Sequence, residues 1–359
     1  MYRSCNYFLV CLGMVTLIIL GSCTKTTTPT NDTMYKGWAV GQAESGFGTI
    51  ISSSNDGLNW VRQGSQSQAS GVDLLDIHGI DVNNVWAVGG IYKGYGLILH
   101  SADGGISWNR QGTATEISNS KLYAVHALDL LNIWVAGDNK LLINSKDGGY
   151  TWSQVSLSSM PPTSFYSITS YGTKSLWVAG TTVDTASTSG SDTIGFVMHS
   201  TDGGTTWTRQ LNGYSFPGSF LDASAGSDSI VYLSGATSVY KTLNGGNTWI
   251  KMLDAPGRNL NGICAVDVEN IWTVGDADGI FHSTDGGMSW KNLIPSVRGF
   301  RYMGVTVADV NRIWIAGELT TGVGKGSILY SRNAGDTWFI EELPVETGLR
   351  RISFASARR

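Results

Sequence analysis

Charge is scarce in this chain. Of its 359 residues only 14% are Asp, Glu, Lys or Arg, against about 25% in an average soluble domain. A coiled coil, or a chain kept disordered by charge, needs many more charges or far fewer aromatics than the 10% found here. Proline is rare, at seven residues. The one long apolar stretch, Phe8 to Leu20, is too short to cross a ~30 Å hydrocarbon layer as a permanent helix, so a cleaved leader is expected. Basic residues are not in excess: the net charge is −4 and becomes −5 once Arg3 leaves with the leader, so no nucleic-acid partner is expected. Cysteine is nearly absent outside the N-terminus. Cys5 and Cys11 lie in the leader, Cys23 at its end, and Cys264 alone in the remaining chain, which excludes an internal disulfide there. Cys264 sits in an apolar strand pattern and reads as a small buried hydrophobe, not a nucleophile.

The leader ends Leu20-Gly21-Ser22-Cys23, which resembles the bacterial lipoprotein box. That resemblance implies acylation of Cys23; the alternative is an ordinary secretory leader with a chance cysteine. Residues 24–33 are polar and Thr-rich with nothing to bury, so a tether reaching roughly 30 Å is expected. The resulting organisation is 1–22 signal peptide, 23–34 lipidated Cys23 and tether, and 35–359 folded domain. It places the protein in the cell envelope, with outer-membrane anchoring and membrane contact through the N-terminal lipid only.

What is abundant is repeated. Trp60, Trp108, Trp152, Trp207, Trp249, Trp290 and Trp338 each end one phrase. Ser or Thr lies seven residues before each Trp, Asp or Asn five before, and Gly three before in every copy. The mean spacing is about 46 residues, near the ~40–45 of a four-stranded propeller blade. A second phrase, Trp-x-x-Gly, interleaves at Trp38, Trp86, Trp134, Trp177, Trp272 and Trp314, with Tyr232 in the fifth copy. No helical period longer than a turn appears after residue 23. The fold predicted is all-β, a single seven-bladed β-propeller with four-stranded antiparallel blades. The first copy lacks its leading strand, and Leu349 to Phe354 supplies that pattern after the last, so the C-terminal strand is expected to close the first blade.

The Ser-x-Asp-x-Gly-x-Thr-Trp phrase resembles the Asp-box (BNR) repeat of sialidases and other propellers. Joined to Trp-x-x-Gly over residues 35–355, it most resembles the photosystem II stability/assembly factor family of seven-bladed propellers. That resemblance implies a binding scaffold of the cell envelope; its photosystem role does not carry over from motifs that are structural.

The repeated Asp is read as structural, since a short carboxylate accepts N–H groups of its own turn and seven equal copies define no unique active site. The two phrases together use all 13 Trp, which leaves none for a sugar-stacking platform. In an A–B–C–D meander the Asp-boxes share one face with the A–B turns, and the variable B–C and D–A loops share the other, where function is expected. The longest B–C loops are Thr181 to Thr193 and Glu318 to Ser327. Three successive D–A loops carry Arg258; Arg298, Phe300, Arg301 and Tyr302; and Arg350 with Arg351. These form the candidate partner-binding patch, Arg and aromatics being favoured anchors, with Glu341, Glu342 and Glu346 positioned to neutralise part of it. The family resemblance implies a basic patch of this kind without matching these positions one by one.

His78 and His126 occupy one strand position in adjacent blades and would meet in the channel, but no third ligand accompanies them, so no metal site and no cofactor are expected. His100, His199 and His282 fall in alternate blades and read as strand residues. The function predicted is a non-enzymatic, lipid-anchored propeller presenting a protein-binding face to another envelope protein, as an assembly or maintenance factor. The alternative is a glycan-binding protein or a sialidase-like glycoside hydrolase, which needs two carboxyls about 5–9 Å apart on the variable face.

Overall fold

A computed structural model describes residues 34–63, 71–112, 117–157, 160–184, 193–210, 216–295, 298–320 and 324–356. Residues 1–33, with Cys23 and the expected leader and tether, lie outside them. The described residues form seven four-stranded antiparallel sheets and no helix. Blade one consists of Leu349–Ser356, Tyr35–Glu44, Phe47–Ser53 and Val61–Arg62. Blades two to seven then run in chain order, each as one meander: Leu74–Gln111, Leu122–Gln154, Thr163–Arg209, Asp222–Asp254, Leu260–Asn292 and Phe300–Ile340. The last strand therefore closes the ring, with Ser353 opposite Trp38 and Ile352 opposite Ala39. An open sheet edge between the first and last blades is removed by this pairing.

The repeated residues prove to be turn and inter-blade devices. In all seven Asp-boxes the Ser or Thr hydroxyl accepts the N–H of the Gly four residues on, at 2.7–3.0 Å. The Asp or Asn Oδ1 accepts the N–H of the residue four beyond it in every copy. The side-chain hydroxyl of that same residue also donates to the carboxylate, and these two bonds hold Asp103, Asp147, Asp202 and Asp285 down to about 2. The Gly has φ between +79° and +99° throughout, a region where any Cβ is strained. At Gly204 a Cβ would also overlap the Trp134 ring of the preceding blade.

The core lies between blades. Trp38, Trp86, Trp134, Trp177, Trp272, Trp314 and Tyr232 are almost fully buried, and they pack across to the next Asp-box. Trp38 Nε1 donates to Gly104 O at 2.9 Å, Trp314 Nε1 to Asp56 O at 3.2 Å, and the Tyr232 hydroxyl to Gly286 O at 3.4 Å and to Val268 O of the adjoining turn at 2.9 Å. At 150–250 Å² apiece, each such ring contributes roughly 4–6 kcal/mol of transfer free energy as an upper estimate.

Candidate functional site

Strand A of each blade lines the central channel, and one irregularity recurs in it. The A–B register slips by one residue at Arg350, Leu75, Tyr123, Tyr166, Asn261 and Met303, in blades one, two, three, four, six and seven. A bulged residue is re-aimed out of the pleat. Those six, with Leu221, Asp73, Lys121 and Arg351, line a cavity of about 280 Å³. It opens at the D–A loop end of strand A, so it is the channel's mouth on the variable face. Lys121 Nζ lies 5.5 Å from the Tyr123 ring centroid, and Tyr123 meets Tyr166 edge-on at 5.0 Å. Burial pushes the Tyr123 phenol up to about 12, so both tyrosines offer neutral hydroxyls.

Beneath the mouth, the residue after each bulge, with Asp222 at the same position of blade five, forms a second ring: Arg351, Asp76, Ala124, Ser167, Asp222, Gly262 and Gly304. Arg351 crosses the lumen and plugs it. Its Nη1 donates to Asp222 Oδ2 (3.1 Å), Asn261 O (3.3 Å) and Met303 O (3.1 Å), and Nη2 donates to Leu221 O (3.3 Å). Its Nε lies 3.9 Å from Asp76 Oδ1. The glycines make room for it, since a Cβ on Gly304 would stand 3.3 Å from Arg351 Cα and Cδ. Asp76 also accepts the N–H groups of Ile77 and Val125, yet burial pushes its carboxyl up to about 7, against the opposing pull of Arg351. Below the plug lies a smaller cavity of about 180 Å³.

A third ring tightens the blades to one another. Gly79 N–H donates to Ser353 Oγ, Ala127 N–H to His78 Nδ1, Ala225 N–H to Thr169 Oγ1, and Ala265 N–H to Ser224 Oγ. His78 and His126 do meet, stacked at 4.6 Å and 29°. One nitrogen of each is committed, His126 Nε2 standing 2.8 Å from Ser170 Oγ. Burial lowers His78 to about 4 and holds His126 well below the usual imidazole value, so the pair is neutral at pH 7. Cys264 faces this channel rather than a blade interior, and burial pushes its thiol up to about 12. Among the described residues no cluster of three or more His, Cys, Asp or Glu is placed to hold a metal.

The structure divides the expected arginine patch. Phe300 and Tyr302 are 3% and 0% exposed and pack into the core between blades six and seven, so neither is a surface anchor. Arg351 is the channel plug. Arg301 is exposed but pairs with Asp276 (3.3 Å) and Glu318 (3.5 Å), and Arg350 reaches the same Glu318 at 3.7 Å. The neutralising carboxylates are thus Glu318 and Asp276, while Glu346 instead pairs with Lys325. Arg258 and Arg298 stay on the loop face without an ion pair among the described residues, Arg298 exposed and Arg258 half-buried. Sequence reasoning missed Lys121, Tyr123, Tyr166, Asn261 and Met303. A signal was available: in blades two to seven the mouth residue stands eleven positions before the B-strand Trp or Tyr.

Fold and channel together define an Asp-box propeller whose loop face carries a cationic, tyrosine-lined cup over a plugged channel. The model of the family described as photosynthesis system II assembly factor YCF48 matches residues 71–358, most of the chain, and the chain belongs to that family. It is 27% identical over 250 residues to the photosystem II assembly lipoprotein Ycf48 of Synechococcus sp. (strain CC9902), covering 56% of this chain and 69% of that protein. Among solved structures it resembles YCF48 bound to D1 peptide (20% identity, TM-score 0.56, 75% of this chain and 80% of that one). It also resembles a GH74 enzyme of Niastella koreensis (16% identity, TM-score 0.55, 89% and 59%). At such identities these two likenesses concern the fold alone.

Proposed function

We propose that the protein is a lipid-anchored, non-enzymatic propeller of the cell envelope that holds an extended segment of a partner protein at the channel mouth, as an assembly or maintenance factor. One observation carries this: the bulged residues of successive blades converge on a single open cup. Lys121 and Arg350 supply cationic groups there, Tyr123 and Tyr166 flat apolar faces with hydroxyls, and Asn261 an amide. Such a set suits a peptide with a carboxylate and an exposed backbone. Arg258 and Arg298 extend the cationic surface along neighbouring loops. The family supports a protein partner, since relatives are called assembly lipoproteins and a solved YCF48 is bound to a D1 peptide. The carboxyls in the channel do not form an acid/base pair, because Asp76 and Asp222 are tied to Arg351 and to backbone N–H groups.

The test is capture of envelope proteins by the chain beside a Lys121→Glu/Arg350→Glu variant with an unchanged melting temperature. Arg351 is left intact because its loss would disturb the ring. A partner held by the parent and lost by the variant supports the mouth as the site. Equal capture by both removes the mouth, and capture by neither refutes a protein-binding role.

A further inference from the structure

The face opposite the mouth has an unexpected composition. At the tips of its Asp-box turns stand Ile106, Tyr150 and Met288, 74%, 87% and 79% exposed. Leu58 and Leu243 are exposed on the same turns of blades one and five, and Leu131, Tyr171 and Val310 on the A–B turns of blades three, four and seven. Every blade therefore presents an apolar tip on this face, whereas among the described residues the loop face offers Ile91 and Ile294. Single exposed hydrophobes are ordinary. A tip on the same face of every blade is not, although Val61, Ile250, Phe339 and Ile340 are also exposed on the outer strands.

The same face receives the chain. In blades two to seven an A–B turn carbonyl accepts an N–H from the neighbouring Asp-box turn, as Asn83 O does from Gly104 and Leu131 O from Gly148. In blade one Tyr35 takes that role: its carbonyl accepts Asp56 N–H, and its own N–H donates to Asp56 Oδ1. Anything attached upstream of Met34 thus joins at the Asp-box face, with the mouth on the far side. Cys23 stands eleven residues before Met34, a reach of roughly 35 Å when extended.

We infer that the Asp-box face is a membrane-contacting surface that lies on zwitterionic lipid headgroups and turns the channel mouth away from the bilayer. The inference rests on the lipid-anchor reading for its orientation, but the contact itself needs no acyl chain. Tips spread around a ring suit a fluid planar surface better than a shaped protein partner, which would require one contiguous patch. A single acyl chain binds membranes only marginally, and a second signal is needed for stable attachment. Amphipathic tips dipping into the headgroup layer provide one. The lipid class follows from charge. Carboxylates such as Asp103, Asp147 and Asp285 share these turns, and Asp129 and Asp267 the adjoining ones; with Asp81, Asp202 and Asp309 they outnumber the exposed cations there, Lys146, Lys174 and Arg332. Headgroup ammonium ions are suitable neighbours for them, and anionic lipids are repelled.

The experiment is flotation of the chain from residue 23 onward carrying Cys23→Ser, which has neither the apolar leader nor an acylation site, with phosphatidylcholine vesicles at millimolar lipid. Co-flotation is expected, falling at least tenfold in an Ile106→Asp/Tyr150→Asp/Met288→Asp variant whose melting curve matches the parent. Replacing a third of the lipid by phosphatidylglycerol should also weaken it. No flotation of the parent overturns the inference, as does equal flotation of the triple variant. Self-association of the parent without flotation, abolished in the triple variant, would assign the face to a second copy and overturn it equally. Failure of the anchor reading shows separately, as absence of acylation by mass on the wild-type chain with flotation intact.

Discussion

Replacing Arg351 with Met removes a guanidinium that touches four blades besides its own: blade two through Asp76, five through Leu221 and Asp222, six through Asn261, and seven through Met303. Methionine keeps the aliphatic bulk against Gly304 and deletes the charge and its donors. Removing one partner of a buried ion pair costs about 3–5 kcal/mol. Here the Arg351 side chain is 16% exposed, and the cavities above and below let water reach the stranded groups, so the low end applies, about 3 kcal/mol. At about 2–4 °C per kcal/mol for a large domain, the melting temperature should fall by about 6–12 °C. The loss also depends on pH. Asp76, held up to about 7, is neutral at pH 5.5 and has little attraction to lose. At pH 8 it is ionised, and without Arg351 its charge is left in the channel wall. The destabilisation should therefore be larger at pH 8 than at pH 5.5 in melts followed by tryptophan fluorescence. An Arg351→Met variant melting within 2 °C of the parent at both pH values would refute the plug as a ring strut, and one lowered equally at both would refute the coupling to Asp76.

Three more outcomes follow from the same geometry. Asp76 has a folded pKa of about 7, above an unfolded value of about 3.9, so the stability of its neutral form is full below about pH 4 and lost as pH rises through 7; Asp76→Asn should flatten that decline relative to the parent, and equal slopes of denaturant stability from pH 4.5 to 7.5 would count against it. Deleting residues 346–359 removes Leu349, Ile352 and Ala355 from the core along with the plug; at about 1.5–3 kcal/mol per large buried side chain plus the lost ladder, cooperative unfolding should disappear, and an unchanged melting curve would sink ring closure as a requirement. Gly304→Val drives a branched side chain into Arg351 and should cost about 1–3 kcal/mol, measured by urea denaturation, whereas a neutral result would show that the plug has room to move.

The fold was legible because its repeated residues encode obligatory backbone geometry. Each Asp-box Gly has positive φ, each hydroxyl and carboxamide or carboxylate caps its own turn, and each B-strand Trp packs on the next turn. Such requirements recur once per blade and so appear as a period. Phe300 and Tyr302 were misplaced because they were judged by type and neighbouring arginines rather than by column. Tyr302 stands twelve residues before Trp314, as Leu74, Leu122, Phe165, Phe220 and Leu260 stand before their own B-strand aromatics, and all of these are buried. The mouth column, one residue later, varies between blades as Leu, Tyr, Asn and Met. It carries no repeated identity for a periodic search to detect.

Arg351 was illegible for a different reason. Its partners are fixed by the ring's diameter, and no spacing along the chain reports a side chain from blade one crossing to blades five, six and seven. The strand that carries it nevertheless links ring closure to the candidate site. Leu349–Ser356 closes the sheet edge, brings Arg350 to the rim of the cup and sends Arg351 across its floor. Blades two to seven alone would hold Lys121, Tyr123, Tyr166 and Asn261, but the cup would lack its floor, and Asp76 and Asp222 would lack their shared counter-ion. Closure of the ring and completion of the candidate site are therefore one event. The complete cup exists only once the first and last segments of the propeller have met.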